Sequence, residues 1–379
     1  MITETLLAIN TKPPVISTLF ISIICIVFII SLFLNREKII NFVKKIKNKY
    51  WVILLLILLC SLFLRVYIAP HHHKMYMDEP MDLEQAKIMI EGGDYSQKTH
   101  TLSIGWPFIL QWLFITFGIN NWIAIYASSI IGALTIVNVF LFTYALLKNK
   151  QIAILSALIF TLIPIHILWS GSAKSHMAAT FFASFNLFIW VLFSEKKDFS
   201  SQVLIFSSLA FSVMFRPENY VFIIPLLAYL LYKKRLLNKK TLFLLIIFII
   251  IVLPNFSRVF VFQVLEHHSD AMSQNIYQEW KTGFLLKNTV NLIQNIFTNK
   301  IHPLLFSVFL IFGMLTILNN HKNKKVMFFL IANTVIIILW ALPYYLYNNR
   351  FLILPYLFLS IYTSSGIYFI SNKLSKIKI

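Results

Sequence analysis

The chain is short of charge and cysteine, and it lacks recognisable nucleotide-binding turns. Only 12% of its 379 residues are charged, whereas 59% are hydrophobic, a composition that excludes an ordinary water-soluble enzyme. Its two cysteines, Cys25 and Cys60, both fall in apolar runs, which argues against a disulfide framework. Neither a G-x-G-x-x-G turn nor a P-loop occurs, so no site for a nucleotide sugar is indicated. These shortages indicate a membrane protein.

What the chain has instead is a series of long apolar runs. Each suits a hydrocarbon layer about 30 Å thick, in which a helix satisfies every backbone polar group. We predict an all-α polytopic membrane protein of about eleven spans in one integral membrane domain, 1–379. The spans are 15–34, 51–69, 122–147, 152–168, 177–193, 201–215, 219–232, 241–256, 303–318, 326–343 and 351–370. The first is too long for a signal peptide and lacks a small-residue cleavage site, so we expect a retained anchor.

The net charge of +19 is concentrated in alternate short loops. The segments 35–50, 148–151, 194–200, 233–240, 319–325 and 371–379 hold 21 of the 33 Lys and Arg residues. This is the positive-inside pattern, which favours the bilayer over nucleic acid as the partner of this charge. It predicts a plasma or inner membrane protein with its N-terminus outside and its C-terminus in the cytoplasm. The loops 70–118 and 257–302 then lie on the extracytoplasmic face.

The first extracytoplasmic loop contains signals for two short helices. Pro80 follows the acidic pair Asp78-Glu79, and Gly92-Gly93 can end a helix that begins there. The apolar stretch 104–118 is short and contains Pro107, Trp106 and Trp112, which favours a helix lying in the membrane interface. We expect the two helices to form a platform over the outer membrane surface. Asp78 and Glu79 could also be no more than a helix cap and its neighbour.

Motifs spread along the chain resemble, in order, those of one membrane enzyme family. They are Leu64-Arg65-Val66, Met77-Asp78-Glu79 with Ala86, Gly105-Trp106-Pro107 through Phe117-Gly118, Arg216-Pro217-Glu218, and Arg350-Phe351 with Pro355. This set resembles the protein O-mannosyltransferases. It is equally similar to the bacterial and archaeal glycosyltransferases of family 39 in the GT-C superfamily, including the lipid A aminoarabinose transferases. The resemblance implies a GT-C type fold.

The resemblance also implies a reaction and its residues. A sugar transferred outside the cytoplasm must arrive on a lipid, and a polyprenyl phosphate is a suitable carrier. Asp78 would deprotonate or orient the acceptor hydroxyl, assisted by Glu79. The donor phosphate would be bound by cations, and the candidates are Arg350, Arg216, Arg65 and Lys174.

Each candidate cation has another interpretation. Arg65 could extend to the lipid headgroups or pair with an acid or a lipid phosphate. Arg216 could form a local ion pair with Glu218. Arg350 could simply lie at the membrane interface, where the last span begins. Lys174 and His176 lie in a short outer turn where many relatives carry an acid, so we expect only a supporting role for them.

Histidine clusters raise the question of a metal. His71-His72-His73 and His267-His268 lack the spacing of a zinc site and have no cysteine partner. We interpret them as loop or headgroup contacts. Some GT-C relatives use a divalent metal, but the resemblance does not require one, so the sequence leaves metal use open.

The sequence therefore predicts a glycosyltransferase that moves a hexose or pentose from a polyprenyl-phosphate donor to an extracytoplasmic hydroxyl of a protein, lipid or glycan. A polysaccharide polymerase or ligase is an alternative. A transporter or flippase of lipid-linked sugars is another alternative. It would carry ionisable residues near the middle of the membrane, whereas the charges of this chain are predicted to lie at the interfaces.

Overall fold

The computed structural model describes most of the chain. Its described residues are 15–72, 79–92, 103–266, 304–319, 328–341 and 352–375, with the single positions 290 and 326. All regular structure within these ranges is helical, which confirms the predicted all-α class. The prediction of a single domain stays a prediction.

The N-terminal part of the described chain consists of helices joined by a bend and a π-helical turn. Helix α1 (Val15–Leu34) meets α2 (Arg36–Val43) at a bend of 59°. Helix α3 (Asn48–Leu62) continues through a π-helical turn, Phe63–Ile68, into the short α4 (Ala69–His72). The wider π-helical turn interrupts the regular side-chain register of this span just before the first loop, 70–118, which we call the acidic loop after its pair Asp78-Glu79.

The first loop forms the two helices that its sequence signals predict. Helix α5 (Glu79–Glu91) ends at Gly92, whose φ of 69° is the left-handed conformation that glycine adopts without strain. Helix α6 (Gly105–Phe117) packs against α5. The predicted pair of short helices is therefore confirmed, and its location in the membrane interface stays a prediction.

Five helices form the centre of the bundle. They are α7 (Asn121–Leu147), α8 (Lys150–Thr161), α9 (Pro164–Ser170), α10 (His176–Phe193) and α11 (Phe199–Val213). Asn120, Asn149 and Asp198 cap α7, α8 and α11 through side chains that accept backbone N–H bonds. Helix α10 packs between α7 and α11, so the short turn before α10 is held firmly at the end of the bundle.

The C-terminal part adds a second layer. After a 3₁₀ turn, Pro217–Phe222, come α12 (Ile223–Tyr232), α13 (Lys239–Glu266), α14 (Leu304–Asn319), a π-helical turn Phe328–Ala332, α15 (Asn333–Ala341) and α16 (Ile353–Leu374). Helices α14 and α16 touch through glycines. A Cβ on Gly313 would lie 1.7 Å from the Tyr362 carbonyl oxygen, and one on Gly366 would lie 1.9 Å from that of Phe309. Only glycine allows the two backbones to approach this closely.

The apolar helices make the chain a multi-pass membrane protein, but the number of spans differs from the sequence count. Within the described residues, five helices are long and apolar enough to cross a membrane, or up to seven if each bent pair is one span. Four shorter apolar helices accompany them. The predicted number of eleven is not confirmed, because several predicted spans are short or bent helices. Cys25 and Cys60 are free, as expected.

Candidate functional site

A five-residue turn between α9 and α10, Gly171–Ser175, organises the candidate site. We call it the clamp turn. A Cβ on Gly171 would lie 2.6 Å from the backbone carbonyl atoms of Ala69, so the turn packs directly on the end of the span that leads to the acidic loop. This contact needs a residue without a side chain. The clamp turn therefore holds the start of the first loop.

The clamp turn also binds both short helices of that loop. The backbone N–H of Ala173 donates to Glu79 Oε2 at 3.4 Å, and its carbonyl accepts a 2.6 Å bond from Trp106 Nε1. Glu79 and Trp106 are both buried. Trp106 thus cannot serve as an interfacial anchor, as its sequence context suggested, because the clamp turn binds its indole N–H. Trp112 is exposed and remains available to lipid.

The next residue of the clamp turn forms a buried ion pair. Lys174 Nζ lies 3.4 Å from Asp82 Oδ2, and each side chain is only 2% exposed. Burial raises the pKa of Asp82, while the positive charges of Lys174 and Arg216 act in the opposite direction. The pair joins α5 to the clamp turn. In the described geometry the Lys174 ammonium is thus paired with a carboxylate of the protein itself, that of Asp82.

Arg216 and Glu218 lie on the other side of the clamp turn. Arg216 Nε donates to Glu218 Oε1 at 2.6 Å, and the side chains are 15% and 14% exposed. This is the local pair that the Arg-Pro-Glu sequence suggested. Arg216 Nη1 also lies 3.4 Å from His176 Nε2. The arginine is therefore oriented by an acid but still reaches solvent.

A cleft opens beside this arginine. Its polar wall includes His176, Arg216 and Glu218, and its apolar wall includes Ile353 and Leu354 at the start of α16. The interior of about 20 Å³ holds about one water molecule. A phosphate would thus have to displace Glu218 or the apolar wall in order to contact Arg216.

Arg65 lies in a different environment from the other cations. Its side chain has no exposure and donates to His166 Nδ1, Ser61 Oγ and the Thr161 carbonyl, at 2.9 Å, 2.8 Å and 3.2 Å for the shortest bond to each. The alternative in which Arg65 extends to headgroups is therefore wrong, since the side chain points into the bundle. These bonds tie α3 to α8 and α9, and α9 leads into the clamp turn.

Several predicted residues lie outside the described part of the chain. They are Asp78, Arg350, His73, His267 and His268, with most of the loop 257–302. His71 is described and is hydrogen-bonded to the Tyr67 carbonyl. Within the described ranges, no group of three or more His, Cys, Asp or Glu side chains could hold a metal ion. The roles predicted for Asp78 and Arg350 stay predictions.

Sequence reasoning missed two members of this region. Asp82 lies in the acidic first turn of α5, and its buried carboxyl pairs with Lys174. His166 had not been singled out, although it is fully buried against Arg65. An ionisable residue inside an apolar segment was the available signal for His166. No comparable signal marked Asp82, because its partner is far away in the sequence.

Comparison with known proteins supports the resemblance drawn from the motifs. Residues 101–257 match the model of the dolichyl-phosphate-mannose-protein mannosyltransferase family. No curated protein matches the chain. The matched region begins inside the first loop, after the acidic pair Asp78-Glu79, and contains the clamp turn and Arg216.

Solved structures show the fold. The chain resembles the Archaeoglobus fulgidus oligosaccharyltransferase in complex with zinc and sulfate, with TM-score 0.57 and 14% identity over 85% of this chain and 49% of that chain. It also resembles the oligosaccharyltransferase AglB of the same organism in complex with an inhibitory peptide and a dolichol-phosphate, with TM-score 0.58 and 12% identity over 86% and 50%. The chain thus has a GT-C type fold and spans about half the length of these solved relatives.

Proposed function

We propose that the protein is a glycosyltransferase that moves a sugar from a polyprenyl-phosphate donor to a hydroxyl outside the cytoplasm. The observation that carries the proposal is the clamp turn, which holds the acidic loop on one side and neighbours Arg216 on the other. The family model matched by residues 101–257 and the dolichol-phosphate bound by the structurally similar AglB support it.

Arg216 is the donor-phosphate ligand that this arrangement favours. The Arg216 guanidinium is held by Glu218 at the edge of a cleft whose other wall is apolar. A phosphate that displaced Glu218 would take over a pre-oriented charge-assisted hydrogen bond, and the prenyl chain would lie on the apolar wall. Arg350 is a second phosphate ligand in this proposal, since it precedes the cleft residue Ile353 by three positions in the sequence.

Asp78 is the proposed base. The acceptor oxygen attacks the anomeric carbon, the bond from that carbon to the phosphate oxygen breaks, and the hydroxyl proton passes to the Asp78 carboxylate. The polyprenyl phosphate leaves with the bonding electrons, and Arg216 and Arg350 stabilise its charge. Glu79 is held by the Ala173 N–H and is buried. We therefore assign Glu79 to positioning Asp78.

Lys174 and Arg65 are positioning residues in this proposal. The ammonium of Lys174 is nearly inaccessible and pairs with Asp82. Arg65 is bonded within the bundle. Both hold the elements that carry the acidic loop, which accounts for their presence without direct contact to the donor.

The orientation belongs to the proposal as well. The positive-inside pattern places the loops around Lys150 and Lys196 in the cytoplasm. The clamp turn and the acidic loop then face outward, where a lipid-linked sugar and an exported acceptor meet.

The test is sugar release and transfer from synthetic polyprenyl-phosphate sugars by purified protein in lipid. We expect Asp78→Asn to lower turnover about 10²- to 10⁴-fold without weakening donor binding. Glu84, an exposed acid on α5, provides the matched control, and Glu84→Gln should leave turnover unchanged. Equal turnover by Asp78→Asn would reduce Asp78 to a helix cap. Donor movement across the bilayer without transfer would replace the proposal with transport.

A further inference from the structure

A second cavity lies far from the clamp turn, at the opposite end of the bundle. It measures about 400 Å³ and lies between the start of α8 and the C-terminal parts of α14 and α16. We call it the basal cavity. In α7 (Asn121–Leu147) the Ser129 hydroxyl donates to the Ser170 carbonyl beside the clamp turn. The last residue of this helix, Leu147, lies about 27 Å further along and lines the basal cavity. The cavity therefore does not belong to the candidate catalytic site.

The glycine contact between α14 and α16 accounts for the position of the basal cavity. The two backbones touch at Gly313 and Gly366. Thr316 and Lys373, which follow these glycines on the two helices, both line the basal cavity. Beyond their closest approach the helices leave space that their side chains do not fill. The volume is in the range of small-molecule and lipid-chain pockets.

The inner lining of the basal cavity is apolar in character. Ile152 and Ile317 contribute aliphatic surface. The hydroxyls of Ser365 and Thr316 donate to carbonyls of their own helices, those of Ile361 and Phe312. Because both hydroxyl groups already donate hydrogen bonds within their own helices, this part of the cavity suits a hydrocarbon chain.

The outer part of the basal cavity is polar and cationic. Along α16 the lining changes from buried Ser365 through half-buried Tyr368 to exposed Asn372 and Lys373. Among the described residues that line the cavity, Lys373 is the charged one and none is acidic. Its Nζ lies 5.2 Å from the centre of the Phe369 ring. An apolar chamber with an ammonium at its mouth matches an anionic amphiphile.

We propose that the basal cavity binds an anionic phospholipid of the adjacent leaflet. One acyl chain lies between α8, α14 and α16, and the phosphate lies at Lys373 Nζ and the Asn372 side-chain amide. The proposal does not depend on glycosyl transfer, because the described lining residues of the basal cavity and of the cleft beside Arg216 are all different.

The test compares phosphatidylglycerol with phosphatidylcholine as ligands of the purified protein, with retained lipid counted by native mass spectrometry. We expect the native protein to retain phosphatidylglycerol in preference. Lys373→Gln should lower its retention about fivefold and remove the preference. Lys240→Gln changes an exposed lysine that does not line the basal cavity, and it should behave as the native protein.

A second variant tests the acyl chain. Thr316→Phe fills the basal cavity from a half-buried position, and it should lower retention of both lipids while Lys373 stays in place. Inorganic phosphate should not displace the bound lipid, because it lacks the chain. Equal retention of the two lipids by the native protein would overturn the proposal. So would equal effects of Lys373→Gln and Lys240→Gln, or unchanged lipid retention in Thr316→Phe.

Discussion

Two Lys–Asp pairs occupy opposite ends of this bundle and differ in almost every physical respect. Lys174–Asp82 at the clamp turn is 3.4 Å long with both side chains 2% exposed, whereas Lys38–Asp198 is 2.6 Å long with side chains 38% and 42% exposed. The shorter pair is screened by solvent and holds little energy. The longer pair is buried, so breaking it leaves an uncompensated charge. Environment, more than distance, decides the importance of each pair.

The pKa values of the two aspartates are also shifted in opposite directions. Burial raises the pKa of Asp82. Partial burial raises the pKa of Asp198 too, but hydrogen bonds from Lys38, Ser201 and Ser200 outweigh it and hold that pKa well below its usual range. Asp198 is a helix cap with several donors. Asp82 depends on the charges of Lys174 and Arg216 and on a hydrogen bond from the Ser175 backbone. Because Lys174 and Ser175 belong to the clamp turn, Asp82 is sensitive to changes there.

Breaking the buried pair should have the largest effect on stability. Lys174→Met leaves the Asp82 carboxyl buried without its ammonium, and we expect a loss of about 3–5 kcal/mol in the free energy of unfolding. The double variant Lys174→Met/Asp82→Leu removes both charges and should recover most of that loss. Reversible unfolding in mixed detergent–SDS micelles measures both. A double variant no more stable than Lys174→Met would contradict the pairing.

The pH dependence of that loss sharpens the comparison. Because the folded-state pKa of Asp82 is raised, folded protein binds more protons than unfolded protein above about pH 4, and this group's contribution falls as pH rises. Removing Lys174 raises the pKa of Asp82 further. The loss caused by Lys174→Met should therefore be larger at about pH 8 than at about pH 5, as unfolding at the two values would show. A constant loss would argue against an ionised Asp82 in the native pair.

The uncharged glycine contact between α14 and α16 should have an intermediate effect on the free energy of unfolding. Gly313→Ala forces a Cβ into the Tyr362 carbonyl, and we expect a loss of about 1–3 kcal/mol through overpacking. This loss should not change with pH, since no titratable group is involved. Gly92→Ala is a control with no atom within 4 Å of the added Cβ, although its positive φ adds local strain. Thermal unfolding at two pH values separates the steric effect from the electrostatic one.

Breaking the exposed pair should have the smallest effect. Lys38→Met should cost about 0–1 kcal/mol, because both side chains reach solvent. The stabilising contribution of Asp198 is present above its unfolded-state pKa and is lost as pH falls below about 4. Because Lys38→Met removes one hydrogen-bond donor to Asp198, it should weaken this loss of stability at acid pH. Acid titration of unfolding for native protein and Lys38→Met measures the change, and a loss comparable to that of Lys174→Met would contradict the comparison.

Local signals in the sequence predicted the helices and part of the site. The acidic start of α5 and its end at Gly92 follow from capping rules. The pairing of Arg216 with Glu218 follows from their spacing. The buried pairings of Asp82 with Lys174 and of Arg65 with His166 join residues about a hundred positions apart. They could not be predicted, because they depend on how whole helices pack.

The span count shows the same limit in another way. An apolar run of 152–168 reads as one span, but the structure bends by 59° between α8 and α9. Pro164 begins the second helix, which is a signal for the break. Hydropathy gives the helices of the bundle, whereas the clamp turn depends on a bend that hydropathy does not detect.

The central claim is that Arg216 exchanges Glu218 for the phosphate of a polyprenyl donor. The most direct measurement is the dissociation constant of a short-chain polyprenyl phosphate for native protein, Arg216→Gln and Glu218→Gln. Arg235, which bonds the Ser194 carbonyl away from the cleft, supplies Arg235→Gln as a control that should bind as the native protein does. We predict that Arg216→Gln weakens binding about tenfold or more and that Glu218→Gln tightens it, because the competing carboxylate is removed. Equal dissociation constants for all four proteins, or weaker binding by Glu218→Gln, would contradict the account.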